Sequence, residues 1–280
     1  MSNSAPASPF SPIGMTGTAS SSKQPILSLI VPCLNEEQNI PTLLEKLDAV
    51  IRSHHLSAEI LIVDDCSDDY TFREAFIYEN RYANVRALHK GLPRGIGRAI
   101  RYGIDHAKGK VGVVVMGDCV DPLTAIPDFV TKIVDEGYHL VLLSRYIDPS
   151  DSDTIPLSYR FYQWGYRILT RLLLGIQQRD LTYAFRGFDL AYVRRLRLES
   201  NGFEISPELS LKSLLARGKV CELRGRQGRR IAGESKFLFS AQGKGYARVM
   251  LQAFLFRWTG RWGKLSRRSL TKSPSMTVGA

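Results

Sequence analysis

Apolar and polar residues follow one another along this chain in blocks. Residues 26–32 (ILSLIVP), 59–63 (EILIV), 85–88, 111–116 (VGVVVM) and 139–143 are short apolar runs. Such runs are the mark of strands buried on both faces. Between them the period becomes helical. In 36–53, Ile40, Leu43, Leu44, Leu47, Val50 and Ile51 share one face, with Asn35 as N-cap and glutamates in the first turn. Residues 95–107 and 123–135 read as further helices. This βαβαβ order predicts an α/β fold, a mostly parallel central sheet with helices on both faces. After Arg145 the pattern changes. Leu157–Leu174 reads as a long amphipathic helix, 181–185 as a strand and 207–216 as a short helix.

Three of the apolar runs end in acid-bearing segments: Pro32-Cys33-Leu34-Asn35-Glu36, Asp64-Asp65-Cys66-Ser67-Asp68-Asp69 and Asp118-Cys119-Val120-Asp121. One such cluster is compatible with a helix cap. Three at the carboxyl ends of strands in one sheet lie where open α/β sheets bind ligands. Carboxylates repel a diphosphate, so holding one there calls for Mg²⁺ or Mn²⁺, hard cations that select oxygen. A sugar nucleotide suits this arrangement, one cluster meeting base and ribose and another the cation on the diphosphate. Gly91–Gly97 (GLPRGIG) has neither the dinucleotide nor the Walker spacing and reads as a lead into a helix, touching the nucleotide. The five histidines are scattered and read as structural. Four widely separated cysteines exclude a CxxC zinc site and fit a reducing compartment.

Charge narrows the choice of partners. The net charge is +11, and the segment from Arg224 to Arg268 carries twelve Lys or Arg against one acid, Glu234, so the remainder is neutral. Phe237, Phe239, Phe254, Phe256, Trp258 and Trp262 lie among these cations. The mixture suits an anionic membrane surface or a phosphorylated lipid; a solvated basic tail is the plain alternative. Nucleic acid is disfavoured, because no nucleic-acid motif accompanies the charge. Residues 1–24, rich in Ser, Pro, Ala and Gly, read as a disordered leader without the features of a signal peptide. No uncharged apolar stretch reaches the roughly 18 residues of a membrane span.

The segments IVPCLNEEQNI, ILIVDDCSDD, GIGRAIRYGIDHAKG, VVVMGDCVDP, LVLLSRY, RDLTYAFRGF, GFEISPEL and GESKF occur in this order. Together they resemble the family 2 glycosyltransferases of GT-A fold, in the dolichol-phosphate mannosyltransferase-like, polyprenyl-phosphate branch, over about residues 25–240. The resemblance implies a sugar transferred from a nucleotide-diphosphate donor (GDP-mannose or a UDP-hexose) to a dolichyl or undecaprenyl phosphate, with inversion. It implies donor contacts at Pro32, Glu36, Asp64 and Asp65, with Asp65 at the base or ribose. Asp118 matches the last acid of the family's metal motif, and Asp121 follows as a second metal and catalytic candidate. The motif's first acid is replaced by Met116. Arg145 matches an arginine near the acceptor phosphate and is a catalytic candidate. Arg160, Arg186, Ser235 and Lys236 are further acceptor or diphosphate candidates, the last two in a loop expected to close over the site.

A lipid phosphate is already an anionic nucleophile, so no strong base is needed; positioning and charge stabilisation carry the rate. The expected setting is the cytoplasm, peripheral on the cytoplasmic face of a membrane, with 241–280 as a basic amphipathic tail. Residues 246–262 either lie flat on the bilayer or dock on the core or on a membrane-anchoring partner protein. Two alternatives share the fold: a transferase acting on a saccharide acceptor, with Asp121 as general base, and a degenerate copy that binds nucleotide sugar without turnover.

Overall fold

The computed structural model describes residues 24–228, 239–263 and 265–266. The expected leader, apart from Gln24, and the Ser235–Lys236 pair lie outside the described residues. Nine strands and eight α-helices are described in chain order. They are β1 (Leu27–Cys33), α1 (Ile40–Ser53), β2 (Ala58–Asp64), α2 (Thr71–Arg81), β3 (Val85–His89), α3 (Ile96–His106), β4 (Val111–Val114), α4 (Ile126–Val134), β5 (Leu140–Ser144), α5 (Leu157–Leu174), β6 (Arg186–Asp189), α6 (Leu190–Leu196), α7 (Ile205–Leu215), β7 (Val220–Arg224), α8 (Phe239–Thr259), β8 (Arg261–Trp262) and β9 (Leu265–Ser266).

Seven strands form one sheet in the order β3-β2-β1-β4-β6-β5-β7, and β8 and β9 pair separately. All neighbours in the large sheet are parallel except those of β6, which runs antiparallel to both β4 and β5. Pleating sends alternate side chains to opposite faces. On β1, Leu27, Leu29 and Val31 join the core under α1, α2 and α4, while Ile30 joins the core under α3 and α5 to α8. The expectation of a mostly parallel sheet with helices on both faces holds.

Two local expectations are corrected. Asn35 does not cap α1, which begins at Ile40; at φ +53 it binds across to the second acidic loop, accepting from Asp68 N–H at 2.8 Å and donating its own N–H to Ser67 Oγ at 2.9 Å. Residues 181–185 are not a strand. They wrap around the buried Asp180, whose Oδ1 accepts the N–H of Thr182 (3.3 Å) and Tyr183 (3.2 Å), and the strand starts at Arg186. The helix α8 crosses the expected domain boundary after residue 240. Tyr246, Val249, Met250, Ala253 and Phe256 on it, with Trp262 and Leu265 beyond, are buried in the main core.

Two glycines at the start of α3 set the shape of the site. A Cβ on Gly97 would lie 2.5 Å from Ser200 O and 2.8 Å from Gly202 O, and one on Gly95 would lie 2.5 Å from Asn201 O. Their small size lets the 199–202 loop lie on α3, where Gly97 N–H donates to Asn201 O at 2.9 Å. Gly97→Ala is expected to cost about 1–3 kcal/mol through overpacking. Gly165→Ala, inside α5 with open space around it, is expected to gain about 0.5–1 kcal/mol. Urea-unfolding midpoints that move in opposite directions would bear this out.

Candidate active site

The loops after β1, β2 and β4 open onto one cleft of about 770 Å³. Pro32 comes from the end of β1, Leu34 and Glu36 from the loop after it, Asp65 from the second loop, Arg94 and Gly95 from the lead into α3, and Met116, Gly117 and Asp118 from the third. The opposite wall is Arg145, Tyr159, Gln163, Tyr183, Phe203 and Tyr246. Each acidic loop has one non-glycine residue with left-handed backbone: Asn35, Cys66 and Cys119, at φ +53, +64 and +61. Such strain concentrates where loop shape serves a site.

Burial dictates how each acid is used. Asp64 faces away from the cleft: its Oδ1 accepts Ser67 N–H at 3.1 Å, and His89 Nδ1 lies 2.8 Å from its Oδ2. One oxygen thus serves the loop and the other β3, and Asp64, expected as a donor contact, does not line the cleft. Asp65 lines the cleft, with Oδ2 accepting Gly95 N–H at 2.6 Å and Oδ1 paired to Lys90 Nζ at 2.7 Å. It thus ties the second loop to the start of α3 while presenting an edge to the ligand space. Glu36 lines the same end, and its Oε2 accepts from Asn39 Nδ2 at 2.7 Å.

Asp118 and Asp121 differ. Asp118 is a cleft residue; Asp121 stands behind it. Met116 N–H donates to Asp121 Oδ2 and the Tyr183 hydroxyl to Oδ1, each at 2.7 Å. Burial, reinforced by the neighbouring charge of Asp118, raises the Asp121 carboxyl to about 7 against the pull of Met116 N–H, Tyr183 and Arg145. The expectation that Asp121 reaches a cation directly, or acts as a base on an acceptor, is therefore revised: its oxygens close the 116–121 turn that carries Asp118. Among the described residues no three His, Cys, Asp or Glu come together as a metal cage. Mg²⁺ is commonly held without such a cage, by one or two protein carboxylates plus substrate phosphates. Asp118 on the cleft wall offers one such carboxylate.

Arg145 supplies the positive side. Burial opposes its charge, but Asp180 more than compensates and holds the pKa above the usual arginine value. Nε and one terminal nitrogen reach the two Asp180 oxygens at 2.8 and 3.3 Å, and the other terminal nitrogen reaches Gln227 Oε1 at 3.0 Å. A guanidinium has five N–H groups, and among the described residues these contacts engage three of them. Its carbon sits 4.1 Å from the centre of the Tyr183 ring. Neither the Asp180 anchor nor Tyr183 was singled out by sequence reasoning, though both lie in the RDLTYAF segment.

The other arginines part ways. Arg186 is fully buried and donates to Tyr183 O, Leu181 O, Ser206 O and Ser210 Oγ. Its expected phosphate role is corrected, because these donors hold the 181–185 wrap to α7. Arg160 on α5 is half-buried and does not line the cleft.

This sheet order, with acid-bearing loops at the carboxyl ends of β1, β2 and β4, is that of a GT-A fold. A family model for glycosyl transferase family 2 matches residues 28–197, and the chain belongs to that family. It is 27% identical to a dolichol-phosphate mannosyltransferase of Pyrococcus furiosus, over 87% of this chain and 67% of that one. It is 24% identical to an undecaprenyl-phosphate mannosyltransferase of Micrococcus luteus, over 84% and 97%. A solved structure of glucosyl-3-phosphoglycerate synthase from Mycobacterium tuberculosis, in complex with Mn²⁺, uridine diphosphate and glucosyl-3-phosphoglycerate, superposes with a TM-score of 0.60 at 15% identity, covering 83% and 80%. The chain is thus a glycosyltransferase.

An acid whose pKa rises on folding lends stability that is complete below its ordinary value near 3.8 and is lost as pH rises through about 7. The ligand-free protein is expected to lose stability between pH 5 and pH 8 relative to Asp121→Asn, which carries no charge at that position. Calorimetric unfolding of both proteins at the two pH values measures the difference, and parallel pH courses would remove Asp121 from this role.

Proposed function

We propose that the chain transfers a hexose from a nucleotide-diphosphate donor to a polyprenyl phosphate, with inversion, at a membrane surface. The observation that carries the acceptor half is an apolar groove of about 740 Å³ between α5 and α8, lined by Phe161, Tyr162, Tyr166, Leu169, Met250 and Phe254 among others. Tyr246 borders both this groove and the cleft, so an isoprenoid chain in the groove would bring its phosphate towards Arg145. The named activities of the Pyrococcus and Micrococcus relatives agree with this acceptor class.

On this reading Pro32, Glu36 and Asp65 receive the nucleoside, and Asp118 would hold a Mg²⁺ or Mn²⁺ ion for the diphosphate. When bound, that ion neutralises charge on the departing nucleoside diphosphate. Arg145, anchored by Asp180, orients the acceptor phosphate. A phosphate oxygen then attacks the anomeric carbon while the bond to the donor diphosphate breaks on the far side. The nucleophile arrives ionised, so the burial of Asp121 away from the cleft is no obstacle. It does count against the saccharide alternative, for which Asp121 was the candidate base. Ser235 and Lys236, in their expected loop, complete the proposal as acceptor contacts.

The outer face of the same two helices supports membrane docking. On α5, Leu157, Phe161, Trp164 and Leu172 are exposed by 77%, 73%, 52% and 75%, and on α8 Leu251 and Trp258 by 58% and 76%. Neither helix carries an acid, while Arg160, Arg167, Arg171, Lys244, Arg248 and Arg257 supply cations. No described helix is long and apolar enough to cross a membrane. The geometry suits a protein lying on an anionic leaflet, peripheral on the cytoplasmic face. A membrane-anchoring partner protein would compete for the same surface.

Thermal unfolding with GDP-mannose, UDP-glucose or UDP-N-acetylglucosamine is expected to show one donor that stabilises more with Mn²⁺ than with EDTA, in Mn²⁺ by about 2.7 kcal/mol at 100 times its dissociation constant. Asp118→Asn should abolish the Mn²⁺-dependent part and most transfer to farnesyl phosphate. No stabilisation by any of the three, or transfer to 3-phosphoglycerate but not to farnesyl phosphate, would overturn the reading.

Separately, the protein is expected to float with phosphatidylglycerol vesicles, and the double variant Trp164→Glu, Leu172→Glu to remain in the soluble fraction. Equal flotation of the two would place the docking face elsewhere.

A further inference from the structure

We infer that Tyr183 is a positioning residue that couples the donor and acceptor halves of the site, an inference that rests on the reading above. It stands between the two charge centres and touches both. Its hydroxyl donates to Asp121 Oδ1 at 2.7 Å, and its ring lies under the Arg145 guanidinium at 4.1 Å. Its backbone N–H donates to Asp180, the anion that anchors Arg145. The side chain is buried, with 6% of the residue exposed, so neither contact competes with water.

The path to the donor runs through the 116–121 turn. Asp121 accepts from Tyr183 on one oxygen and from Met116 N–H on the other, and Asp118 lies on the turn so closed. With Met116 where a first metal-motif acid would stand, Asp118 is the sole carboxylate of this turn on the cleft. Its placement therefore bears most of the donor-side geometry, and Tyr183 fixes that placement from behind. The path to the acceptor is the ring itself, which supports the flat face of Arg145 while Asp180 holds its edge. Cation–π support of this kind needs the aromatic face and not the hydroxyl, so the two couplings can be cut separately.

The test uses the full chain and its Tyr183→Phe and Tyr183→Leu variants, with calorimetric binding of GDP and UDP in Mn²⁺ and in EDTA, and of farnesyl phosphate. Tyr183→Phe is expected to weaken nucleotide binding in Mn²⁺ about tenfold, to leave binding in EDTA within twofold, and to leave farnesyl phosphate unchanged. Tyr183→Leu is expected to weaken farnesyl phosphate several-fold as well. In the double variant Tyr183→Phe, Asp121→Asn, the second change should add little to the first, because both cut one path. Should Tyr183→Phe fail to fold, Asp121→Asn alone carries the same Mn²⁺ and EDTA comparison. Equal losses in Mn²⁺ and EDTA, or no loss in Mn²⁺, would overturn the inference and leave Tyr183 as packing. If wild type binds neither nucleotide in Mn²⁺, the proposed function itself fails and the inference falls with it.

Discussion

The constraint on which this site depends is that parallel strands deliver several carboxylates to one sheet edge, where water is scarce. A buried carboxylate is tolerable only if donors or cations meet it. The structure meets each with donors or cations, some from its own loop and some from across the fold: Asp64 from Ser67 and His89, Asp65 from Gly95 and Lys90, Asp121 from Met116 and Tyr183, Asp180 from Arg145. Those contacts are also what tie the loops together. The second loop is fastened to α3 through Asp65, the third to the 181–185 wrap through Asp121, and the wrap to β5 through Asp180. The electrostatics of the cleft and the rigidity of its walls are therefore one problem with one solution.

Much of the fold was legible because buried parallel strands are apolar throughout and their helices keep one clean face. The elements that escaped notice lack such signals. On α2 the inward face is Thr71, Ala75 and Tyr78, and Phe72 and Phe76 face outward, so its largest apolar residues do not mark the buried side. The strand β7 is an edge strand with no fully buried residue. The wrap at 181–185 reads as a strand because Leu, Tyr and Phe are buried there, but the burial surrounds a carboxylate and not a ladder.

The site was legible in its residue types more than in their use. The acid-bearing strand ends and Arg145 line one cleft. Which acid faces the ligand depends on side-chain direction across a turn with a left-handed Cys119, and spacing carries no trace of that. Arg186 illustrates the same limit. A guanidinium suits a phosphate or a ring of backbone carbonyls equally well, and here the irregular wrap leaves carbonyls that only a multidentate donor can collect. The choice between Asp118 and Asp121 likewise turns on Tyr183, a residue whose hydroxyl matters only once the fold has brought it within reach.

The helix α8 shows how one composition can support two readings. Its aromatic and basic residues do not segregate to one face, which left a docked helix and a bilayer helix open. The structure uses both sides: Tyr246, Val249, Ala253 and Phe256 point into the core while Leu251, Leu255 and Trp258 point out. Docking fixes the distance between the groove and the cleft, because Tyr246 is held by Tyr162 and Tyr166 of α5 in edge contacts with ring centres 5.8 Å apart. A helix free to lie anywhere on a membrane could not hold that distance. On the proposed reading, the depth at which a lipid phosphate arrives beside Arg145 is therefore set by the packing of α5 against α8, and only the outer rows of the two helices answer to the bilayer.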